Sequence, residues 1–155
     1  MSENTKEELE RARAQLFNLL KTRPRSKYEV KTRLRQKGFS NSTIQEIIDM
    51  AELSGLLNDE MFAKLWIEDR RISKPKGRQA LEQELREKGI DREIIAHALK
   101  NIEDDEYTVA YQLATTRLAR YQSETRETQR RKLGAFLRRR GFSFVVINKI
   151  VRELV

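Results

Sequence analysis

Apolar residues recur along this chain at helical spacing, and the same spaced set comes round three times. Val30 and Leu34, Leu81 and Leu85, and Leu133 and Leu137 are each four residues apart. That spacing places both side chains of a pair on one helical face. Four residues beyond each second leucine stands a glycine (Gly38, Gly89, Gly141), and six beyond each glycine stands Ile44, Ile95 or Ile147. Ser40, Asp91 and Ser143, all N-cap types, follow their glycines by two. Each copy therefore predicts a helix ending at a glycine that can take the left-handed C′ conformation, then an apolar residue, a cap and a second helix. Ser26 with Glu29 has the spacing of a capping box opening the first copy.

A third helix connects the copies. Asn58-Asp59-Glu60 starts one connector, carrying Phe62, Ala63 and Trp66, and Asp104-Asp105-Glu106 starts another, carrying Tyr107, Ala110 and Leu113. With an N-terminal helix over about Lys6 to Leu20, the count is nine helices in three triplets, residues 1–57, 58–101 and 102–155. The glycines lie 51 and 52 residues apart, a period too long for tetratricopeptide or ankyrin repeats. The middle unit's closing loop is shorter and lacks a match to Leu53-Ser54-Gly55-Leu56. The fold class expected is all-α: three tandem three-helix repeats, each helix-turn-helix-like, in an elongated, curved array whose small units lean on their neighbours.

Composition agrees and narrows the chemistry. Glu, Lys, Arg, Gln, Leu and Ala predominate, with only two prolines and six glycines in 155 residues, and these abundant residues lose little freedom in a helix. No apolar run approaches the 20 or so residues of a membrane span. Met1 to Leu9 is polar and acidic, unlike a secretory signal, so a cytoplasmic protein is expected. There is no cysteine and one histidine, His97, which leaves thiolate metal sites and Ser-His-Asp chemistry without material. His97 reads as a packing or surface residue. The acidic stretch Glu103-Asp104-Asp105-Glu106 suits a helix N-terminus better than a metal, because successive helical side chains diverge. No phosphate-cradling GxxxxGK[ST] loop or GxGxxG is present. Neither catalysis, a cofactor nor a metal is expected.

The charge is more pointed. Lysines and arginines number 32 against 24 acids, a net +8, and such a balance favours a polyanionic partner or serves solubility. One basic run, from Lys21 to Lys37, holds Arg25, Lys27, Lys31, Arg33, Arg35 and Lys37 with the single acid Glu29. A second, from Arg126 to Arg140, holds Arg130, Arg131, Lys132, Arg138, Arg139 and Arg140 with the single acid Glu127. Both fall on the helix that ends at the repeat glycine, and the equivalent middle stretch, Lys74 to Lys88, is mixed. Three aligned sets are basic in every copy: Lys27/Arg78/Arg130, Arg35/Arg86/Arg138 and Lys37/Lys88/Arg140. Cations in a last turn complement the helix dipole. Lys21, Arg23, Arg25, Arg126, Arg130 and Arg131 are expected near helix starts, where that account fails and an anionic partner is the better one. Most aromatics fall on apolar repeat positions, which does not support a base-stacking platform.

The particular residues go further. Gly55-Leu56-Leu57-Asn58-Asp59-Glu60-Met61-Phe62-Ala63, Lys76-Gly77 and Leu85-Arg86-Glu87-Lys88-Gly89-Ile90 resemble the RecX family of bacterial recombination regulators. So do Arg25-Ser26 with Glu29, Leu34 and Gly38, and Leu137 with Arg140-Gly141-Phe142; the resemblance runs from about residue 23 to 155. It implies a cytoplasmic, non-enzymatic modulator that lies in the groove of the RecA–single-stranded-DNA filament. There it would suppress ATPase, strand-exchange and co-protease activities, acting as a monomer with no membrane partner. The rival readings are a helical-repeat protein that binds DNA directly, an adaptor for another acidic protein and, most distantly, an enzyme. In the leading reading the thirteen cations from Arg25 to Lys37 and from Arg126 to Arg140 contact the partner or nucleic acid, and the motif leucines and glycines are structural.

Overall fold

The computed structural model describes residues 3–100 and 102–155, without the side chains of Glu103 and Asp104. Among them stand nine α-helices and no strand. The first unit is α1 (Glu3–Thr22), α2 (Lys27–Gln36) and α3 (Asn41–Leu53). The second is α4 (Asp59–Ser73), α5 (Arg78–Glu87) and α6 (Arg92–Leu99). The third is α7 (Glu103–Leu118), which runs into a 3₁₀ turn at Ala119–Tyr121, then α8 (Arg126–Arg139) and α9 (Phe144–Leu154).

Local signals set the helix ends as the sequence requires. Ser26 accepts from the Glu29 N–H while the Glu29 carboxylate accepts from the Ser26 N–H, a complete capping box. Ser40, Asn58, Thr125 and Ser143 cap their helices through side-chain oxygens. Asp91 occupies the cap position of α6 but makes no side-chain cap bond, a departure from expectation. Gly38, Gly89 and Gly141, and Gly55 in the longer loop of the first unit, all have φ between 73° and 90°, the left-handed backbone that terminates a helix at low cost in glycine.

Each unit closes its own core, contrary to the expectation that the units lean on one another for burial. Ala12, Leu16, Val30, Leu34, Ile44, Ile48 and Leu57 form the first. Phe62, Ala63, Leu81, Leu85, Ile95 and Leu99 form the second, and Ala110, Ala114, Leu133, Leu137, Ile147 and Ile150 the third. The repeat leucines and isoleucines are the centres of these cores.

The joints between units are polar and run end to end. Ser26 Oγ, at the start of α2, donates to the carbonyl of Lys88 at the end of α5 (2.7 Å). In the equivalent place one unit on, the Gly77 N–H at the start of α5 donates to the carbonyl of Arg140 at the end of α8 (2.6 Å), and Gln79 N–H to Gly141 (3.2 Å). At the second joint unpaired N–H groups of α5 thus meet unpaired carbonyls at the end of α8, and at the first the cap hydroxyl takes their place. At both, the opposed partial charges of the two helix ends attract. The approach is close: a Cβ on Gly89 would strike Tyr28, and one on Gly141 would strike Ala80.

Candidate functional site

The basic runs divide, in the structure, into cations the fold uses and cations it leaves free. The aligned set Lys27/Arg78/Arg130 is used alike in all three units. Lys27 pairs with Glu52 in the last turn of α3 (3.2 Å), Arg78 donates to Leu99 O at the end of α6 (3.2 Å), and Arg130 donates to Val155 O after α9 (3.3 Å). Each ties the start of a unit's middle helix to the end of its last one. Lys88 and Arg140 sit at the joints. Lys88 reaches Glu29 (3.5 Å) and lies over Trp66, while Arg140 donates to Pro75 O (3.2 Å) and lies over Phe136. Lys132 pairs with Glu124 over the Tyr121 ring.

The structure corrects part of the charge argument. Lys21 lies in the last turn of α1, not near a helix start, so the helix dipole accounts for it. Arg25 donates from Nε to Leu19 O (3.3 Å), satisfying a carbonyl at the end of the same helix, and Arg23 forks onto Glu29 (2.5 Å). The proline-containing turn between α1 and α2 folds Arg25 back onto the helix it follows and Arg23 onto the helix it precedes.

What remains free forms two faces. On α2 and its C-cap, the side chains of Lys31, Arg33, Arg35 and Lys37 make no hydrogen bond or ion pair among the described residues, and all but Lys31 are exposed. On α8, Arg126, Arg131, Arg138 and Arg139 are exposed and likewise without partners among the described residues. Along α8 the arginines flank Gly134, where an added Cβ would meet only Ile147 Cγ2, at 3.9 Å. Nothing in the packing calls for glycine there.

Between the two faces stands the middle unit, residues 58–101, whose ten cations face nine acids and several of whose cations are engaged by the fold. Glu84 accepts from Trp66 Nε1 (3.0 Å) and is paired with Lys76 and with Arg70 (3.4 Å). Burial alone would raise the Glu84 carboxyl, but Lys76, the Trp66 N–H and Arg70 together hold it below the usual range. Glu29 behaves alike: burial pushes it up, and Arg23, the Ser26 N–H and Lys88 outweigh that. Arg86 pairs with Glu82 (2.8 Å), and Arg71 with Asp105 (2.5 Å) across the second joint.

One set of acids escaped sequence reasoning. Glu8, Asp59 and Glu106 each stand four residues before a buried alanine (Ala12, Ala63, Ala110). Glu8 accepts from the Ser40 N–H (2.8 Å) and Glu106 from the Ser143 N–H (3.0 Å), locking connector to last helix within a unit. Asp59 instead crosses the joint to the Lys27 N–H (3.0 Å). Its carboxyl is raised, first by burial and further by Glu52 and Asp91, against the pull of the Lys27 N–H and charge. The repeated acid–alanine spacing was a visible signal, but nothing in it gives the partner.

Among the described residues no three His, Cys, Asp or Glu side chains converge as metal ligands. Glu103 and Asp104 lie outside that statement. No described helix is long and apolar enough to cross a membrane. His97 is exposed on α6.

Three models of the RecX family match the chain in order: the first three-helix domain over residues 12–49, the second over 58–99 and the third over 103–151. "Regulatory protein RecX" of Amycolatopsis mediterranei (strain U-32) is 34% identical over 152 residues, covering 95% of this chain and 87% of that protein. The protein of the same name from Mycobacterium leprae (strain Br4923) is 36% identical over 144 residues, covering 92% and 84%. The crystal structure of RecX from Lactobacillus salivarius superimposes with a TM-score of 0.88 at 26% identity, covering 96% of this chain and 97% of that one.

Proposed function

The chain belongs to the RecX family, and on that premise we propose that it regulates, and mainly inhibits, the RecA recombinase. It binds the RecA–single-stranded-DNA filament in its groove and modulates ATPase, strand exchange and co-protease activity. It does so as a cytoplasmic monomer without catalysis of its own. The repeats at 1–57, 58–101 and 102–155 are its functional divisions, and the outer two carry the contacts.

The observation that supports this reading is the separation of two free cationic faces by a unit whose cations and acids nearly balance, ten against nine over residues 58–101. The ten residues of α5 alone span about 15 Å between them. A single phosphate site needs one cluster of cations; two, held apart on a chain of polar joints, suit a partner that repeats its anionic groups along an axis. Lys31, Arg33, Arg35 and Lys37 serve one end, and Arg126, Arg131, Arg138 and Arg139 the other. Arg25, Lys27, Arg130, Lys132 and Arg140 support those faces from within the fold and add field rather than direct contact.

The second reading, a helical-repeat protein acting on bare DNA, draws on the density of arginine along α8. Reversal of Arg131, Arg138 and Arg139 to glutamate separates the two. Filament regulation requires at least a tenfold loss in binding to recombinase-coated strands, with binding of the unmodified chain to bare strands weak at the same salt. Binding that is equally tight with and without recombinase, and steeply salt-dependent, transfers the function to the DNA alone.

A further inference from the structure

We infer that Phe144 and Val145, at the start of α9, are the apolar plug of a protein-docking surface. They enter an apolar depression on the partner whose rim carries carboxylates, and those carboxylates pair with Arg138 and Arg139. The inference deepens the filament-regulator reading and rests on it: this patch meets the protein component of the filament, not its DNA.

Both side chains are open to solvent, Phe144 at 69% and Val145 at 76% relative exposure. The other apolar residues of α9 pack on the third core, Ile147 and Ile150 buried and Val146, Val151 and Leu154 partly so. The repeat supplies its own control. The same two positions after the turn glycine are Asn41-Ser42 in the first unit and Arg92-Glu93 in the second, all exposed. The architecture therefore places polar residues here when left to itself. The helix start is also unaltered, since Ser143 caps α9 as Ser40 caps α3. An aromatic and a β-branched side chain at this place gain nothing for the fold and expose apolar surface that a monomer ordinarily covers.

The surroundings define the partner. Arg138 and Arg139 lie just across the Gly141-Phe142 turn, exposed and without partners among the described residues. No acid occurs in the sequence between Glu127 and Glu153, and Glu106, which reaches this turn, is committed to the Ser143 N–H. The patch is thus apolar and cationic, and its complement is apolar and acidic. Aromatic and arginine side chains side by side make strong anchors in protein interfaces. A nucleic-acid platform would instead present aromatic faces in succession, whereas Val145 has no face to stack and the equivalent positions hold no aromatic.

The test uses the full chain with Phe144→Ser/Val145→Ser together, and separately Phe144→Leu. Two quantities are read at one salt concentration: half-inhibition of the single-strand-dependent ATPase of RecA, and anisotropy of a labelled bare oligonucleotide. The double variant is expected to need at least ten times more protein for half-inhibition, with bare-strand affinity within twofold of the parent. Phe144→Leu keeps an apolar plug and is expected to inhibit nearly as the parent does. Thermal melting within about 2 °C of the parent establishes that the variants are folded. Undiminished inhibition by the double variant overturns the inference and leaves the regulator reading standing. Loss of inhibition and bare-strand binding together, with Phe144→Leu also impaired, assigns the pair to base stacking and overturns it too. A parent chain that does not inhibit RecA sinks both readings.

Discussion

Ser26, wholly buried, donates its hydroxyl to the carbonyl of Lys88, 2.7 Å away and 62 residues on in the chain. The same oxygen accepts from the Glu29 N–H. One side chain therefore caps α2 and fastens it to the end of α5. Ser26→Ala removes the cap, worth about 1 kcal/mol, and leaves a carbonyl short of a partner at the joint. A loss of about 2 kcal/mol in urea unfolding is expected, larger than for Ser40→Ala, whose hydroxyl serves one unit only.

The turn glycines separate backbone strain from close approach. Gly38 and Gly89 both have left-handed φ, but a Cβ on Gly38 meets open space while one on Gly89 meets Tyr28. Gly38→Ala is expected to cost about 1–2 kcal/mol from backbone alone. Gly89→Ala is expected to cost more, because α2 must move off the α5 turn. Equal losses in denaturant titrations of the two variants would mean that the joint yields freely.

Gly134 offers the opposite outcome. It sits in the interior of α8 with room for a methyl group, and glycine there is about 1 kcal/mol poorer than alanine. Gly134→Ala is expected to raise the melting temperature by about 2–4 °C. If inhibition of the recombinase falls while stability rises, a partner approaches the helix backbone between the arginines.

Asp59 gives a pH dependence of known sign. Its folded carboxyl is raised above the ordinary 3.8, chiefly by burial, so the folded state holds its proton more tightly than the unfolded one. As pH rises from 3.8 through the raised value, Asp59 makes a growing unfavourable contribution to stability. Glu8, Glu29 and Glu84 have lowered carboxyls and act oppositely, their stabilisation being lost as pH falls below 4.5 through their folded values. Asp59→Asn keeps an oxygen for the Lys27 N–H and removes the charge. The variant's stability relative to the parent is therefore expected to improve from pH 3.5 to pH 7. A difference that does not change with pH contradicts this account.

The sequence made the units legible but not the joints. Val30, Leu34, Gly38 and Ile44, with their two later copies, mark helices, turns and cores because all of those depend on residues close in the chain. Arg140 with Pro75, 65 residues apart, and Ser26 with Lys88 belong to contacts that no periodicity encodes. The same limit misplaced the charge. Arg23 and Arg25 precede α2 in sequence, but the turn folds them onto Glu29 and the end of α1. Lys27 and Arg130 read as binding residues and turn out to tie their own units together. Free and occupied cations look alike in a sequence; only the positions of Glu29, Glu52 and the helix-end carbonyls separate them. Asp91 failed as a side-chain cap in the one unit where the acid ahead of the buried alanine is Asp59, a short side chain that leaves its own unit for Lys27.

Action on the recombinase filament is what the proposed function stands on. The most direct measurement is the single-strand-dependent ATPase of a bacterial RecA, titrated with this protein well below one molecule per recombinase subunit, with bare-strand binding measured at the same salt. Strong inhibition at sub-stoichiometric ratios, with weak binding to bare DNA, is the result expected. An unaffected ATPase together with tight, salt-sensitive binding to bare DNA would contradict it.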